Sequence, residues 1–285
     1  MKTVIEAQAL SKHYPNFSLR DIEFQVPQGM VTGLIGENGA GKTTLIKLMM
    51  GAIFADSGKI RVFGREPVFL KKEEKEQVGF VLEEGCLPPE LTMKEMEAVM
   101  RGIYRNWDRE HFFSCIRRLG MEEELKGRKK IRDYSKGMKA KLALAIAMSH
   151  GTKLLIVDEA TSGLDPVIRS EILDMFLEFM QEEDHSILMA SHILSDLEKI
   201  CDHLIYIREG KILFQERRDR LDQKYGILKC SREQFAAVSP DAVIGKKENA
   251  FGVEALLRRE AAGELPLESA SVEDLMLYYS SGGVR

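Results

Sequence analysis

The sequence predicts an α/β fold: a mostly parallel sheet flanked by helices, with an antiparallel β subdomain at the N-terminus and an α-helical insert. Three observations predict it. The apolar run Val31 to Ile35 breaks into glycines at 36, 39 and 41, and Leu45, Ile46, Leu48 and Met49 follow at helical spacing until Gly51 ends them. Leu154–Val157 and Ile187–Ala190 are continuous apolar segments of the kind that form strands buried on both faces. Between them lies a helix over about residues 166–182, started by Pro166. Strands that alternate with helices imply a parallel, layered sheet.

The elements follow in chain order. The β-rich stretch TVIEAQAL, then the alternation of Ile22, Phe24 and Val26, suggests an antiparallel patch with one wet face. The mixed-sign run KKEEKE at 71–76 reads as a solvated helix face. From Pro88 to His150 the periodicity is helical, over Leu91–Tyr104, His111–Leu119 and Met138–Met148. Leu204–Ile207 and Lys211–Phe214 form a strand pair joined at Glu209-Gly210. Past about 220 the pattern is choppier, with Gly226, Pro240, Gly245, Gly252, Gly263 and Pro266, so the expected division is a main domain at 1–219 and a small C-terminal extension at 220–285. The helical subdomain is expected at about 85–150. The extension ends in an amphipathic segment, Ser271 to Tyr279, capped by Ser271 and expected to cover the sheet.

Composition narrows the function. Lys and Arg number 41 against 45 Asp and Glu, a net charge of −4 spread along 285 residues, which argues against a nucleic-acid partner. With 44% hydrophobic and 30% charged residues the chain can build a core. Cys86, Cys115, Cys201 and Cys230 form no C-x-x-C pair, so neither a zinc site nor a disulfide framework is indicated. The N-terminus lacks a signal-peptide pattern and no segment approaches a membrane span, so the expected location is cytoplasmic, with any membrane role exerted through a partner.

The chemistry is concentrated in two motifs. Gly36-Glu-Asn38-Gly39-Ala40-Gly41-Lys42-Thr43, followed by Thr44, fits G-x-x-x-x-G-K-[ST] between a strand and a helix. Its amides and the helix N-terminus suit phosphate oxygens, Lys42 neutralises β/γ charge, and the Thr43 hydroxyl suits Mg²⁺. Asp158 and Glu159 follow the buried strand at 154–157, at the strand end where ligands collect in such sheets. Asp158 suits Mg²⁺, and Glu159 suits polarising an attacking water.

These motifs lead to a resemblance. Tyr134-Ser135-Lys136-Gly137-Met138-Lys139 resembles the signature of ATP-binding cassette (ABC) ATPases, and Val157 to Pro166 resembles that family's Walker B strand and D-loop. His192, in Ala-Ser-His, resembles its switch histidine, and Tyr14 its adenine-stacking aromatic. The resemblance covers about residues 1 to 215 and implies a P-loop NTPase fold of ABC type, with ATP and Mg²⁺ as cofactors. It further implies that Ser135 and Gly137 meet ATP held by a second ATP-binding subunit, identical or related, and that Lys42, Glu159 and His192 are catalytic. For Tyr14, packing beside Pro15 is the rival reading; for Ser135, helix capping; for His192, a structural role.

The sequence also departs from the family pattern. Glu83 stands where the family has its Q-loop glutamine and, as a carboxylate, is an acceptor that could bind Mg²⁺ or water. Lys136 replaces the commonest glycine, Met138 a frequent glutamine and Ala160 the usual proline. The stretch Glu84 to Thr92 and Tyr104 to Asp108 look like bacterial exporters of antibiotics, peptides or lipids. The resemblance thus implies a subunit that drives a separate transmembrane permease from the inner face of the cell membrane. The alternative is a soluble ABC ATPase of DNA repair or translation; the 94-residue step from Lys42 to Lys136 leaves no room for the long coiled coil of repair types, and one cassette is present rather than two.

Overall fold

The computed structural model describes residues 2–82 and 87–281. The strands are β1 (Thr3–Tyr14), β2 (Phe17–Pro27), β3 (Val31–Ile35), β4 (Ser57–Val62), β5 (Val78–Val81), β6 (Leu154–Asp158), β7 (Ser186–Ser191), β8 (His203–Arg208), β9 (Lys211–Arg217), β10 (Tyr225–Cys230), β11 (Val243–Asn249) and β12 (Gly252–Arg258). The longer helices are α1 (Lys42–Met49), α2 (Met93–Ile103), α3 (Arg109–Arg118), α4 (Glu122–Lys126), α5 (Lys136–Ala147), α6 (Pro166–Phe179), α7 (Leu194–Ile200) and α8 (Val272–Ser281).

The central sheet has the order β5-β6-β7-β3-β8-β9. All its pairings are parallel except β8–β9, the expected hairpin. Successive residues of β6 serve opposite faces: Leu154 and Ile156 join one apolar cluster, Leu155 and Val157 the other. This two-sided burial explains why the strand is an uninterrupted apolar run. Against the first face pack α1 and the antiparallel sheet β2-β1-β4. Against the second pack the helical insert (α2–α5) and α6, α7 and α8.

Helix starts follow local chemistry. Thr92 and Glu95 form a reciprocal capping box at α2, Glu95 Oε2 accepting the Thr92 N–H at 2.7 Å. Asp108 accepts the His111 N–H at 2.8 Å at α3, and Asp165 accepts those of Val167 and Ile168 before Pro166 opens α6. Trp107 packs within the insert, its Nε1–H donating to Glu97 Oε1 at 3.2 Å.

The structure adds elements the sequence pattern did not disclose. β4 and β5 complete two sheets, and the region beyond residue 220 holds an antiparallel sheet in the order β10-β12-β11. Helix α8 then returns to the main core. Ser271 and Asp274 form its capping box, Tyr206 and Ser280 share a hydrogen bond at 2.8 Å, and Arg208 Nη1 donates to the Tyr279 carbonyl at 2.6 Å. Tyr206, Phe214, Tyr225 and Tyr279 make an aromatic cluster at this seam.

Candidate functional site

A cavity of about 410 Å³ opens at the carboxyl ends of β3 and β6. It is lined by the phosphate loop (Glu37, Asn38, Gly39, Gly41, Lys42, Thr43, Thr44), by Asp158 and Glu159, and by Asn16 and Phe17 from the β1–β2 turn. Gly41 takes φ +116°, and a Cβ there would lie 2.6 Å from Leu19 and 2.8 Å from Phe17. Only glycine lets the loop turn into α1 this close to the β1–β2 hairpin.

The charged side chains converge in a nearly dry setting. Lys42, 6% exposed, donates to the Gly36 carbonyl at 2.7 Å, and its Nζ lies 3.6 Å from Glu159 Oε1. The Thr43 hydroxyl donates to Asp158 Oδ2 at 3.0 Å. Glu159, 8% exposed, meets His192 Nδ1 through Oε2 at 2.6 Å, while its Oε1 has no hydrogen-bond partner among the described residues. The backbone of Glu159 sits in the left-handed region at φ +52°, held by its own N–H to the Ala190 carbonyl at 2.9 Å. That conformation costs a residue with a side chain about 1–3 kcal/mol and is tolerated where surrounding contacts fix it. Here it turns the carboxylate back over the phosphate loop.

The residues singled out in the sequence therefore fall into groups. Gly36 to Thr44, Asp158, Glu159 and His192 come together; within the loop, Ala40 is buried and accepts the Gly210 N–H through its carbonyl at 3.1 Å, and Gly36 acts through the carbonyl that Lys42 holds. Tyr14 ends β1 with 42% of its surface exposed, Lys12 Nζ lying 5.7 Å from its ring, and it does not line the cavity. Ser135 caps α5, its hydroxyl accepting the Met138 N–H at 3.2 Å, and neither it nor Gly137 lines this chain's own cavity. Lys136 lines a smaller cleft with Lys139, Glu159 and Ser162. Glu83 lies outside the described residues. Glu37, Asn16 and Phe17 were not read from the sequence. Glu37 could have been, as a variable position inside the motif; Asn16 and Phe17 reach the site only because the β1–β2 hairpin folds over it.

A lysine-bearing glycine loop at a helix N-terminus, a Thr–Asp oxygen pair and a glutamate backed by histidine define a P-loop nucleoside triphosphatase. The profile of the family described as ABC transporter matches residues 19–162. The bacitracin transport ATP-binding protein BcrA of Bacillus licheniformis is 34% identical over 245 residues, covering 84% of this chain and 78% of that one. The lantibiotic transport ATP-binding protein SrtF of Streptococcus pyogenes is 32% identical over 220 residues, covering 76% and 92%. Among solved structures, an ATP-binding subunit of an ABC transporter superposes with a TM-score of 0.69 at 27% identity, covering 82% of this chain and 94% of that one. The chain belongs to the ABC transporter family as an ATP-binding, ATP-hydrolysing subunit.

Proposed function

We propose that two such subunits, identical or related, close head to tail around two Mg-ATP and drive a separate membrane permease. The observation that carries this is the position of Ser135 and Gly137: they sit at the N-terminus of α5, where amides and the helix dipole suit an anion, yet neither lines the phosphate cavity of its own chain. A second chain supplies the phosphate they are built to meet.

Within each composite site the roles follow from chemistry. The Thr43 hydroxyl and the Asp158 carboxylate, already within hydrogen-bonding distance, are hard oxygen donors of the kind Mg²⁺ takes, so these two side chains fit the ion and would hold it. Bound there, Mg²⁺ supplies charge neutralisation to the β- and γ-phosphates. Lys42 exchanges its carbonyl contacts for phosphate oxygens. Glu159 orients the attacking water and accepts its proton, and His192 holds that carboxylate through Oε2. Phe17 lines the cavity, and Tyr14, outside it at the end of β1, would offer its exposed aromatic ring to adenine.

Residues 1–219 would carry the ATPase and 220–285 an appended unit. The names of BcrA and SrtF, together with the exporter-like wording of residues 84–92, support an exporter of antibiotic or peptide type. No described helix is long and apolar enough to cross a membrane, so the proposed place is the inner membrane face, reached through the permease. The test is Glu159→Gln. It should bind ATP normally, lose turnover and accumulate as an ATP-bound dimer; wild-type hydrolysis by this variant would refute the assigned role.

A further inference from the structure

Two helices leave the catalytic glutamate's surroundings and meet again behind it. From Glu159 the chain runs through Ser162-Gly-Leu-Asp165 into α6, whose first turn carries Arg169; its N–H donates to the Asp165 carbonyl at 3.0 Å. From His192 it turns at Ile193, fixed by the Ser191 hydroxyl accepting the Ile193 N–H at 3.0 Å, into α7, whose first turn carries Asp196. Arg169 lies ten residues beyond Glu159 and Asp196 four beyond His192, and the two face each other. Arg169 Nη1 is 3.9 Å from Asp196 Oδ1.

The environment of this pair is unusual. Asp196 is 1% exposed, and neither carboxylate oxygen has a hydrogen-bond partner among the described residues. Arg169 is 28% exposed on its side chain, and its Nε is likewise buried without a partner. A buried carboxylate with one cation beyond hydrogen-bonding distance is poorly compensated, because interior charges need both a counter-charge and donors. A shift of about 1 Å between α6 and α7 would bring the groups to the roughly 2.7–2.9 Å of a charge-assisted hydrogen bond. The contacts thus form a ring: Glu159, the 162–165 turn, Arg169, Asp196, the 191–193 turn, His192, and back to Glu159 at 2.6 Å. Its two non-covalent closures are Arg169–Asp196 and His192–Glu159.

We propose that Arg169 and Asp196 are positioning residues for ATP hydrolysis. Their pairing locks the turn after Glu159 to the turn that bears His192, and so sets the Glu159–His192 contact. Neither residue touches the nucleotide cavity, so the effect falls on turnover rather than on ATP binding. The inference rests on the roles given above to Glu159 and His192.

The test uses Arg169→Met, Asp196→Asn and the conservative Arg169→Lys in the intact chain, with His192→Ala as a second background. Steady-state kcat and KM for ATP, single-turnover rates at excess enzyme, and melting temperatures are measured. Arg169→Met and Asp196→Asn should each lower kcat about tenfold or more with KM changed less than about twofold, and Arg169→Lys should restore most of the rate. In the His192→Ala background, Arg169→Met should slow the residual single-turnover rate no further, since both changes break the same ring. A folded Arg169→Met protein with wild-type kcat would overturn the inference, as would an equal rate loss in both backgrounds. If Asp196→Asn fails to fold, Arg169→Met, part exposed, still decides the matter. Should His192→Ala itself hydrolyse ATP at the wild-type rate, the role of His192 falls and this inference with it; an impaired His192→Ala beside an unimpaired Arg169→Met removes the inference alone.

Discussion

Lys42 is a buried ammonium that donates to two carbonyl oxygens, of Gly36 at 2.7 Å and Glu37 at 3.3 Å, with Glu159 more distant. A triphosphate offers this cation the full negative charge that neutral carbonyls lack, and the amides of the glycine loop add to the attraction. Binding to the folded state alone raises stability by mass action, about 2.7 kcal/mol at a ligand concentration 100 times the dissociation constant. Mg-ATP at that excess should therefore raise the melting temperature of the wild-type chain, and Lys42→Ala at the same nucleotide concentration should lose that rise. An equal shift in both proteins, read by differential scanning calorimetry, would place the phosphates elsewhere.

Among the elements, the joint between the insert and the central sheet makes a pH prediction. His150 follows α5, stacks on Tyr104 with ring centroids 4.0 Å apart, and donates Nδ1–H to the Glu76 carbonyl at 2.8 Å. Burial pushes its pKa below the ordinary 6.5 despite that carbonyl, which favours the charged form. The folded chain therefore binds fewer protons than the unfolded one at pH just below 6.5, so the stability from this group is complete above that pH and is lost as the pH falls towards the folded-state value. His203 is shifted in the same direction, also by burial. His150→Asn should be less stable at neutral pH, yet its melting temperature should fall less than the wild type's between about pH 7.5 and 5.5. Parallel melting curves would show that His150 is not the group that titrates.

How legible an element was depended on its packing. β6 and β7 lie between two apolar layers, so their sequences are unbroken apolar runs and were read without difficulty. The phosphate loop and the Asp158-Glu159 pair were legible because their chemistry fixes residue type and spacing. The sheet β10-β12-β11 was not, since glycines that break the alternation are what its packing requires: a Cβ on Gly245 would collide with the carbonyl of Tyr278 on α8. No local pattern shows that a helix some thirty residues later presses on that strand. For the same reason the sequence named Tyr14 but not Phe17, whose place at the cavity comes from a hairpin folding over a loop distant in sequence.

For the whole molecule, the fold separates two halves of one chemistry. One end of the central sheet carries the loop, carboxylates and histidine to which we assign the triphosphate, while the insert holds Ser135 and Gly137 outside the same cavity. Between insert and core, Arg118 of α3 pairs with both Glu171 and Glu178 of α6, an ionic tie that joins the insert to the helix following the Glu159 turn. The central claim is that hydrolysis needs the second copy or relative. The most direct measurement is the ATPase rate per subunit over serial dilution, compared with Ser135→Arg. We predict a rate that falls steadily as the protein is diluted and is abolished by Ser135→Arg with ATP affinity intact; a per-subunit rate constant at every dilution and indifferent to Ser135 would contradict the account.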